Sequence, residues 1–384
     1  MIYLDNSATT QHKPKSVIQA SVKGLKKYSI NPNRSGHTLA IQAQQKVYEC
    51  REKVATLLNT TPETVIFTSG CTMAINLGLF GTAKRNGHII TTIFEHNSVL
   101  RTLERLKETH SISYSVLPPN NSGQITTNDI IKNIKHNTYM IIINHTSNVT
   151  GTTQNLQSIG KLCKKKNLLF FVDAAQSLGH EKIDITKDNI NLLAIAGHKG
   201  LYAPQGIGAL IINNCTVKPL IYGGTGTESD KLKQPTTYPE GLESGTPNIV
   251  GILGLSSAID FIKNHQNTIN NKISKLTKHL ITELNKIKHV EVFSGSINSG
   301  VVSFTIKNKD SSTVSNILNE QYNIATRSGL HCAPLVHKYY KTLKNGMTRI
   351  SISYFNTKTE INKLISAIKE IALSWKQCNF LYQS

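Results

Sequence analysis

The sequence predicts an α/β protein: a large three-layer α/β/α domain on a mainly parallel sheet, plus a smaller α+β domain toward the carboxyl-terminal end. Three observations predict it. Short apolar runs recur between Thr64 and Ile212, and stretches with helical apolar spacing lie between many of them. That alternation belongs to a parallel sheet covered on both faces. Two of the runs lead directly into residues that are costly to bury, Asp173 and the His198–Lys199 pair, so function should collect at the carboxyl edge of the sheet. One long helical pattern, about Ile249 to Lys286, then leads into a separate succession of strands and helices.

Taken in order, residues 1–10 read as an extended arm and residues 13–28 as a short helix after Pro14. Asn31–His37 is a loop by its turn residues, after which Thr38 is expected to cap an amphipathic helix to about Leu58. Thr64–Thr68 reads as a strand, Ser69–Thr72 as a turn and Met73–Lys84 as a helix. His88–Thr92 is the next strand, followed by Glu95-His96-Asn97-Ser98 and a helix to about Thr109. Ile112–Val116, Tyr139–Ile143, Leu168–Val172, Leu192–Ala196 and Ile207–Ile212 complete the strands, with helices at about 127–135 and 155–166. Residues 215–247 are rich in Gly, Thr and Pro, the composition of a functional or interface loop. The expected domains are 13–255 for the large one, and 1–12 with 256–384 for the small one.

Composition narrows the function classes. Hydrophobic residues at 39% and charged residues at 17% of 384 describe a globular chain rather than a disordered one. No apolar run reaches the roughly 18 residues that span a bilayer. The first residues run straight into strand-like sequence without a signal-peptide pattern, so a cytoplasmic location is expected. The formal net charge of +20 raises the question of nucleic acid, but the only compact basic run, Lys164–Lys166, sits where a helix should end, which favours cations anyway. No nucleic-acid motif accompanies it. The six cysteines, at 50, 71, 163, 215, 332 and 378, are scattered without zinc-ligand spacing, so no metal is expected.

Chemistry concentrates at a few strand ends. Burial favours the neutral, nucleophilic form of a lysine amine. Read alone, Lys199 is equally well a surface lysine just past a strand. Leu168–Val172 changes the balance, because a carboxylate at the end of an apolar strand needs a cationic partner, and a protonated pyridine nitrogen is one. Pyridoxal phosphate (PLP) needs a lysine for its aldehyde and an acid for its ring nitrogen, which Lys199 and Asp173 would supply from one sheet edge. Ser69-Gly70-Cys71-Thr72, between a strand and a helix, fits a phosphate cradle. His96 and the Asn144–Asn148 segment follow strands in the same relation; an imidazole at 96 suits stacking on a cofactor ring, although a lone loop histidine is also commonly a solvated bystander. Cys332 lies beside His331 and near Arg327, surroundings that suit a reactive thiol, although read alone it is as well an ordinary free cysteine in a loop. Arg349, before the apolar Ile350-Ser-Ile-Ser run, could hold a carboxylate bidentately or be a surface residue at a strand start.

These motifs together resemble the class V aminotransferase superfamily and, within it, the cysteine desulfurases. The resemblance runs from Tyr3–Thr10 to Tyr354–Thr357, with Glu95–Ser98, Asn144–Gly151, Val172–Gln176, Gly197–Lys199 and Glu243–Asn248 in order between them. Arg327–Pro334 resembles the short-loop group, which includes selenocysteine lyases. The resemblance implies the PLP-dependent transferase fold of type I. It implies that Lys199 carries PLP, Asp173 pairs with the ring nitrogen, Gln176 bonds the ring hydroxyl and His96 stacks on the ring. Ser69, Gly70, Cys71, Thr72 and His198 would hold the phosphate, and Thr246 would reach the phosphate of a second copy in a homodimer. Asn148 and Arg349, with Arg327 nearby, would bind the substrate. Cys332 would take sulfur from L-cysteine as a persulfide and pass it to an acceptor protein.

Three positions depart from the pattern. Ala196 lacks a hydroxyl found in many relatives, Cys71 stands where relatives often have threonine, and Leu330 stands where some short-loop enzymes carry histidine. The alternatives are selenocysteine lyase or cysteine-sulfinate desulfinase on the same scaffold, another class V aminotransferase, or a basic binding protein that keeps the fold without the chemistry.

Overall fold

The computed structural model describes residues 1–32 and 36–373, so Cys378 and part of the Asn31–His37 loop lie outside the described residues. In chain order, β1 is Ile2–Tyr3, α1 Lys15–Lys27, α2 Thr38–Leu58, β2 Val65–Thr68, α3 Cys71–Gly81, β3 His88–Thr92, α4 Asn97–His110 and β4 Ser113–Leu117. Then come α5 Thr127–Asn133, β5 Thr138–Asn144, α6 Leu156–Lys166, β6 Leu169–Asp173, β7 Leu192–Ala196, β8 Gly208–Ile212 and α7 Ile249–Leu284. The last elements are β9 Val290–Phe293, β10 Val301–Ile306, α8 Ser311–Tyr322, β11 Ile324–Ala325, α9 Pro334–Tyr339, β12 Thr348–Ser351 and α10 Lys358–Leu373.

The chain forms two compact units. The larger comprises His12–His145 and Gln154–Gln266, the smaller Met1–Gln11, Thr146–Thr153 and Asn267 onward. The larger unit holds a seven-stranded sheet in the order β2-β8-β7-β6-β5-β3-β4. Only β8 runs against its neighbours; the pairs β3–β4, β3–β5, β5–β6 and β6–β7 are parallel. The ends of β2, β3, β5, β6 and β7 therefore open on one edge, as the apolar runs predict.

Helix α3 shows how packing places that edge. Its buried residues, including Cys71, Ala74, Ile75, Leu77, Gly78 and Leu79, cover most of its circumference, so it is a core helix. A Cβ on Gly78 would lie 2.6 Å from the Phe171 ring of β6, so only glycine lets α3 settle this close to the sheet. The ring is fully buried, which stabilises the fold by about 2–3 kcal/mol. The helix begins at Cys71 and stops at Gly81, not Met73 to Lys84 as the pattern suggests, because Gly70 serves as its N-cap. Helix α2 also differs at its start: His37, not Thr38, is the cap, its side chain accepting from the Ala40 N–H.

In the smaller unit, β9, β10 and β12 form an antiparallel sheet in the order β12-β10-β9. The terminal arm adds β1 parallel to β11. Leu4, Val302, Phe304, Leu318, Ile350, Leu364 and Ile368 belong to one buried cluster in this unit. Short helix α9 begins two residues after Cys332, with Pro334 at its first position.

Candidate active site

Asp173 and Lys199 leave neighbouring parallel strands, β6 and β7, at the same edge of the larger unit's sheet. Asp173 is 2% exposed and forms no ion pair among the described residues. Its Oδ1 accepts from the Ala175 N–H at 2.9 Å and from the Cys71 thiol at 3.4 Å. Those bonds fix the carboxylate and leave Oδ2 for another donor. Burial, and then the Asp173 charge, push the Cys71 thiol well above its usual range, so it stays a neutral donor. Cys71 thus reaches Asp173 with its side chain, a role the sequence alone does not suggest.

Half-buried Lys199 follows His198 in a turn tied by Ala203 N–H to Gly197 O at 2.9 Å and by Tyr202 N–H to Lys199 O at 2.9 Å. His198 is lowered to about 4 by burial first and then by the charges of Lys199 and Lys13, so its ring is neutral at pH 7. Lys13, which no sequence motif singles out, donates to the His198 carbonyl at 3.3 Å and is lowered to about 8 by burial.

His96 is the N-cap of α4. Its Nδ1 accepts the Ser98 N–H at 3.0 Å, so a neutral ring carries its proton on Nε2. Gln176 is buried on the turn that follows Asp173. Ser69 and Thr72 are exposed at the start of α3, while Gly70 has open space where a Cβ would stand. The first N–H groups of α3 have no acceptor within the helix, and a Cβ on Gly208 of β8 would come within 2.8 Å of the Gly70 Cα. Thr246 is exposed and lines a cleft that also contains Ser69, Met73 and Leu242.

The smaller unit carries the second set. Arg349 lies within β12, not before it, and is 1% exposed, which overturns its reading as a surface residue. Its Nη2 pairs with Asp5 at 2.7 Å and its Nη1 donates to the Asn148 carbonyl at 3.1 Å; its Nε is a buried donor without a partner. Burial pushes the guanidinium pKa down, and Asp5 works against that shift. Asn148 Nδ2 donates to the His331 carbonyl at 2.6 Å. Arg327 pairs with Arg349 through the backbone, and its Nη2 lies 3.8 Å from Cys332 Sγ. His331 Nε2 donates to Met347 O at 3.0 Å, and Gly329 N–H bonds Ser311 Oγ at 3.2 Å. The half-exposed Cys332 is thus held in a loop fastened at both ends.

Glu95 and Asp5 are the residues that sequence reasoning underused. Glu95 appears only inside a motif, although it follows a buried strand just as Asp173 does. Asp5 sits in the arm with nothing in the sequence to pair it with Arg349.

A family model described as aminotransferase class-V matches residues 2–364, and the chain belongs to that family. Among its curated relatives, a probable cysteine desulfurase of Borreliella burgdorferi is 36% identical, over 97% of this chain and 92% of that one. Another, of Methanothermobacter thermautotrophicus, is 32% identical over 97% and 94%. The solved apo structure of a cysteine desulfurase from Thermococcus onnurineus NA1 superposes with a TM-score of 0.89 at 32% identity, covering 97% of this chain and 95% of that one. Within class V, the chain therefore falls in the cysteine desulfurase family. The fold is that of the type I PLP-dependent enzymes, and the family depends on PLP.

The residues present fit that cofactor. The buried Asp173 carboxylate lacks the cation that a protonated pyridine nitrogen supplies. The open space at Gly70 and the free N–H groups of the first turn of α3 suit a phosphate.

Proposed function

We propose that the protein is a cysteine desulfurase that converts L-cysteine to L-alanine and carries the released sulfur on Cys332 for delivery to an acceptor protein. The observation that carries this reading is Asp173 and Lys199 on adjacent strand ends, with the Asp173 carboxylate oriented and uncompensated. In this reading Lys199 holds PLP, Asp173 Oδ2 binds the ring nitrogen, Gln176 the ring hydroxyl, and His96 lies on the ring. Ser69, Gly70, Cys71, Thr72 and His198 hold the phosphate. When bound, PLP supplies an electron sink for the pair released at the substrate Cα.

This chain's own groups do the rest. The Lys199 amine takes the α-proton and returns it to carbon. Arg349 binds the substrate carboxylate, with Asn148 beside it. The Arg327 guanidinium lies beside the Cys332 sulfur, and that sulfur is the nucleophile. Thiolate attack forms an S–S bond and breaks the substrate C–S bond; the carbon keeps the electron pair and is protonated, giving alanine and a Cys332 persulfide. His96, whose Nδ1 accepts the Ser98 N–H, moves protons at the cofactor through Nε2.

A homodimer is supported by the exposed Thr246 and by Ile221, Tyr222 and Leu232, at 52%, 70% and 107% exposure in the same Gly- and Thr-rich segment. A cytoplasmic location is supported by the free state of Cys50, Cys71, Cys163, Cys215 and Cys332. Among the described residues, no helix is long and apolar enough to cross a membrane. The test is incubation of the PLP-loaded protein with L-cysteine, with alanine assayed and Cys332 examined by mass spectrometry. Stoichiometric alanine and one added sulfur on Cys332 are expected; a keto acid without persulfide would replace the reading with an aminotransferase.

A further inference from the structure

We infer that Glu95 is a positioning residue that works as a neutral carboxylic acid, closing the end of β3 against the end of β5 and leaving Asp173 as the single anion of the cofactor pocket. The last clause rests on the proposed cofactor role of Asp173; the protonation and the closure do not.

Glu95 is 0% exposed and forms no ion pair among the described residues. Its hydrogen bonds all converge on Oε1, which accepts from Thr92 Oγ1 at 2.7 Å and from the Asn144 N–H at 3.0 Å. Oε2 is buried with no partner, and so is Asn144 Oδ1, on the residue whose N–H Glu95 accepts. A buried carboxylate oxygen without a donor is what a missing proton leaves behind. One proton on the Glu95 carboxyl supplies a donor there, whereas a bare carboxylate would stand in an apolar interior with no cation.

The surroundings agree. The charged group that bears on Glu95 is Asp173, at the end of β6; Thr92 on β3 and Asn144 on β5 are its polar neighbours. Burial first, with the Asp173 charge adding to it, raises Glu95 to about 8, although the bonds from Thr92 and Asn144 pull the other way. Asn144 and Asp173 are directly paired across β5 and β6. A second negative charge there would repel the Asp173 carboxylate and compete for the ring nitrogen's positive charge.

The geometry also explains what the acid positions. Thr92 Oγ1 donates to Glu95 and accepts the Phe94 N–H at 3.1 Å, so residues 92–95 form a closed turn. His96 follows at once, and its orientation depends on that turn and on its cap bond to Ser98.

The experiment compares wild type with Glu95→Gln, which keeps the shape and replaces the acid O–H with N–H. Infrared difference spectra of the apoproteins at pH 7 are expected to show a protonated-carboxyl C=O band in wild type that the variant lacks. PLP affinity is expected to change less than about threefold. The folded-state pKa lies above the unfolded value, so the unfolded chain releases this proton first. Wild type should lose stability, relative to the variant, as pH rises from about 5 to 8. Glu95→Asp, a shorter acid that keeps the charge option, should disturb the turn and weaken PLP binding more than Glu95→Gln does. Absence of the infrared band, or a tenfold loss of PLP affinity in Glu95→Gln with Glu95→Asp retaining it, would overturn the inference. If neither protein binds PLP, the cofactor reading fails while the infrared and pH results still decide the protonation.

Discussion

Removing Asp5 should destabilise the protein nearly as much as removing Arg349, although Asp5 is the more exposed partner. Arg349 is 1% exposed, and its side chain in the pair with Asp5 is 1% exposed against 20% for Asp5. Breaking a buried pair by deleting one member costs about 3–5 kcal/mol, because the charge left behind is uncompensated. Arg349→Met leaves a carboxylate that water partly reaches, so the lower end of that range, about 3 kcal/mol, applies. It also takes the donor from the Asn148 carbonyl, worth about 1 kcal/mol. Asp5→Asn strands a fully buried guanidinium and should cost about 3–4 kcal/mol even with an amide oxygen in place. For domains of this size that is a fall of roughly 6–15 °C in the thermal midpoint. The double variant should recover part of the loss, since no stranded cation remains. The assay is thermal unfolding of the four apoproteins at pH 7. Either single variant within about 0.5 kcal/mol of wild type, or a double variant as unstable as the summed singles, would refute the reasoning and make Arg349 a substrate ligand without a structural load.

Three further outcomes can be checked directly. Gly208→Ala places a Cβ 2.5 Å from Ile195 O and 2.8 Å from Gly70 Cα, so apoprotein stability should fall by about 1–3 kcal/mol, and PLP affinity should fall with the displaced cradle. His88 bridges Thr138 and Ser115 from β3 and is lowered to about 4, mainly by burial. The unfolded chain therefore takes up that proton first, stability should drop as pH falls from about 6.5 to 4, and His88→Gln should flatten the slope in acid unfolding curves. Cys332→Ala should abolish alanine formation from L-cysteine and keep it from L-selenocysteine, whose selenium leaves without a thiolate. Equal loss on both substrates would give Cys332 a role beyond accepting sulfur.

The parallel sheet is legible because its strands are buried on both faces and read as continuous apolar runs: β3 and β7 fall where the pattern places them. Helix ends are harder to read. Gly70 and His37 cap α3 and α2 through a bare backbone and an imidazole, neither of which stands out in a string of letters. Asp173 and Lys199 can be found because each charge ends an apolar run. The same rule would have found Glu95, had the Thr91-Thr92 strand end been read as buried. Asp5 and Arg349 lie 344 residues apart, and only the fold pairs them. Helix α9 is too short, at 6 residues, to show a period.

The most direct test of the central claim is the visible absorption spectrum of the purified protein loaded with PLP, before and after L-cysteine, beside Lys199→Ala. The account predicts a lysine-bound cofactor band that L-cysteine shifts and that Lys199→Ala lacks. A wild-type spectrum that L-cysteine leaves unchanged, or the same band in Lys199→Ala, would contradict it.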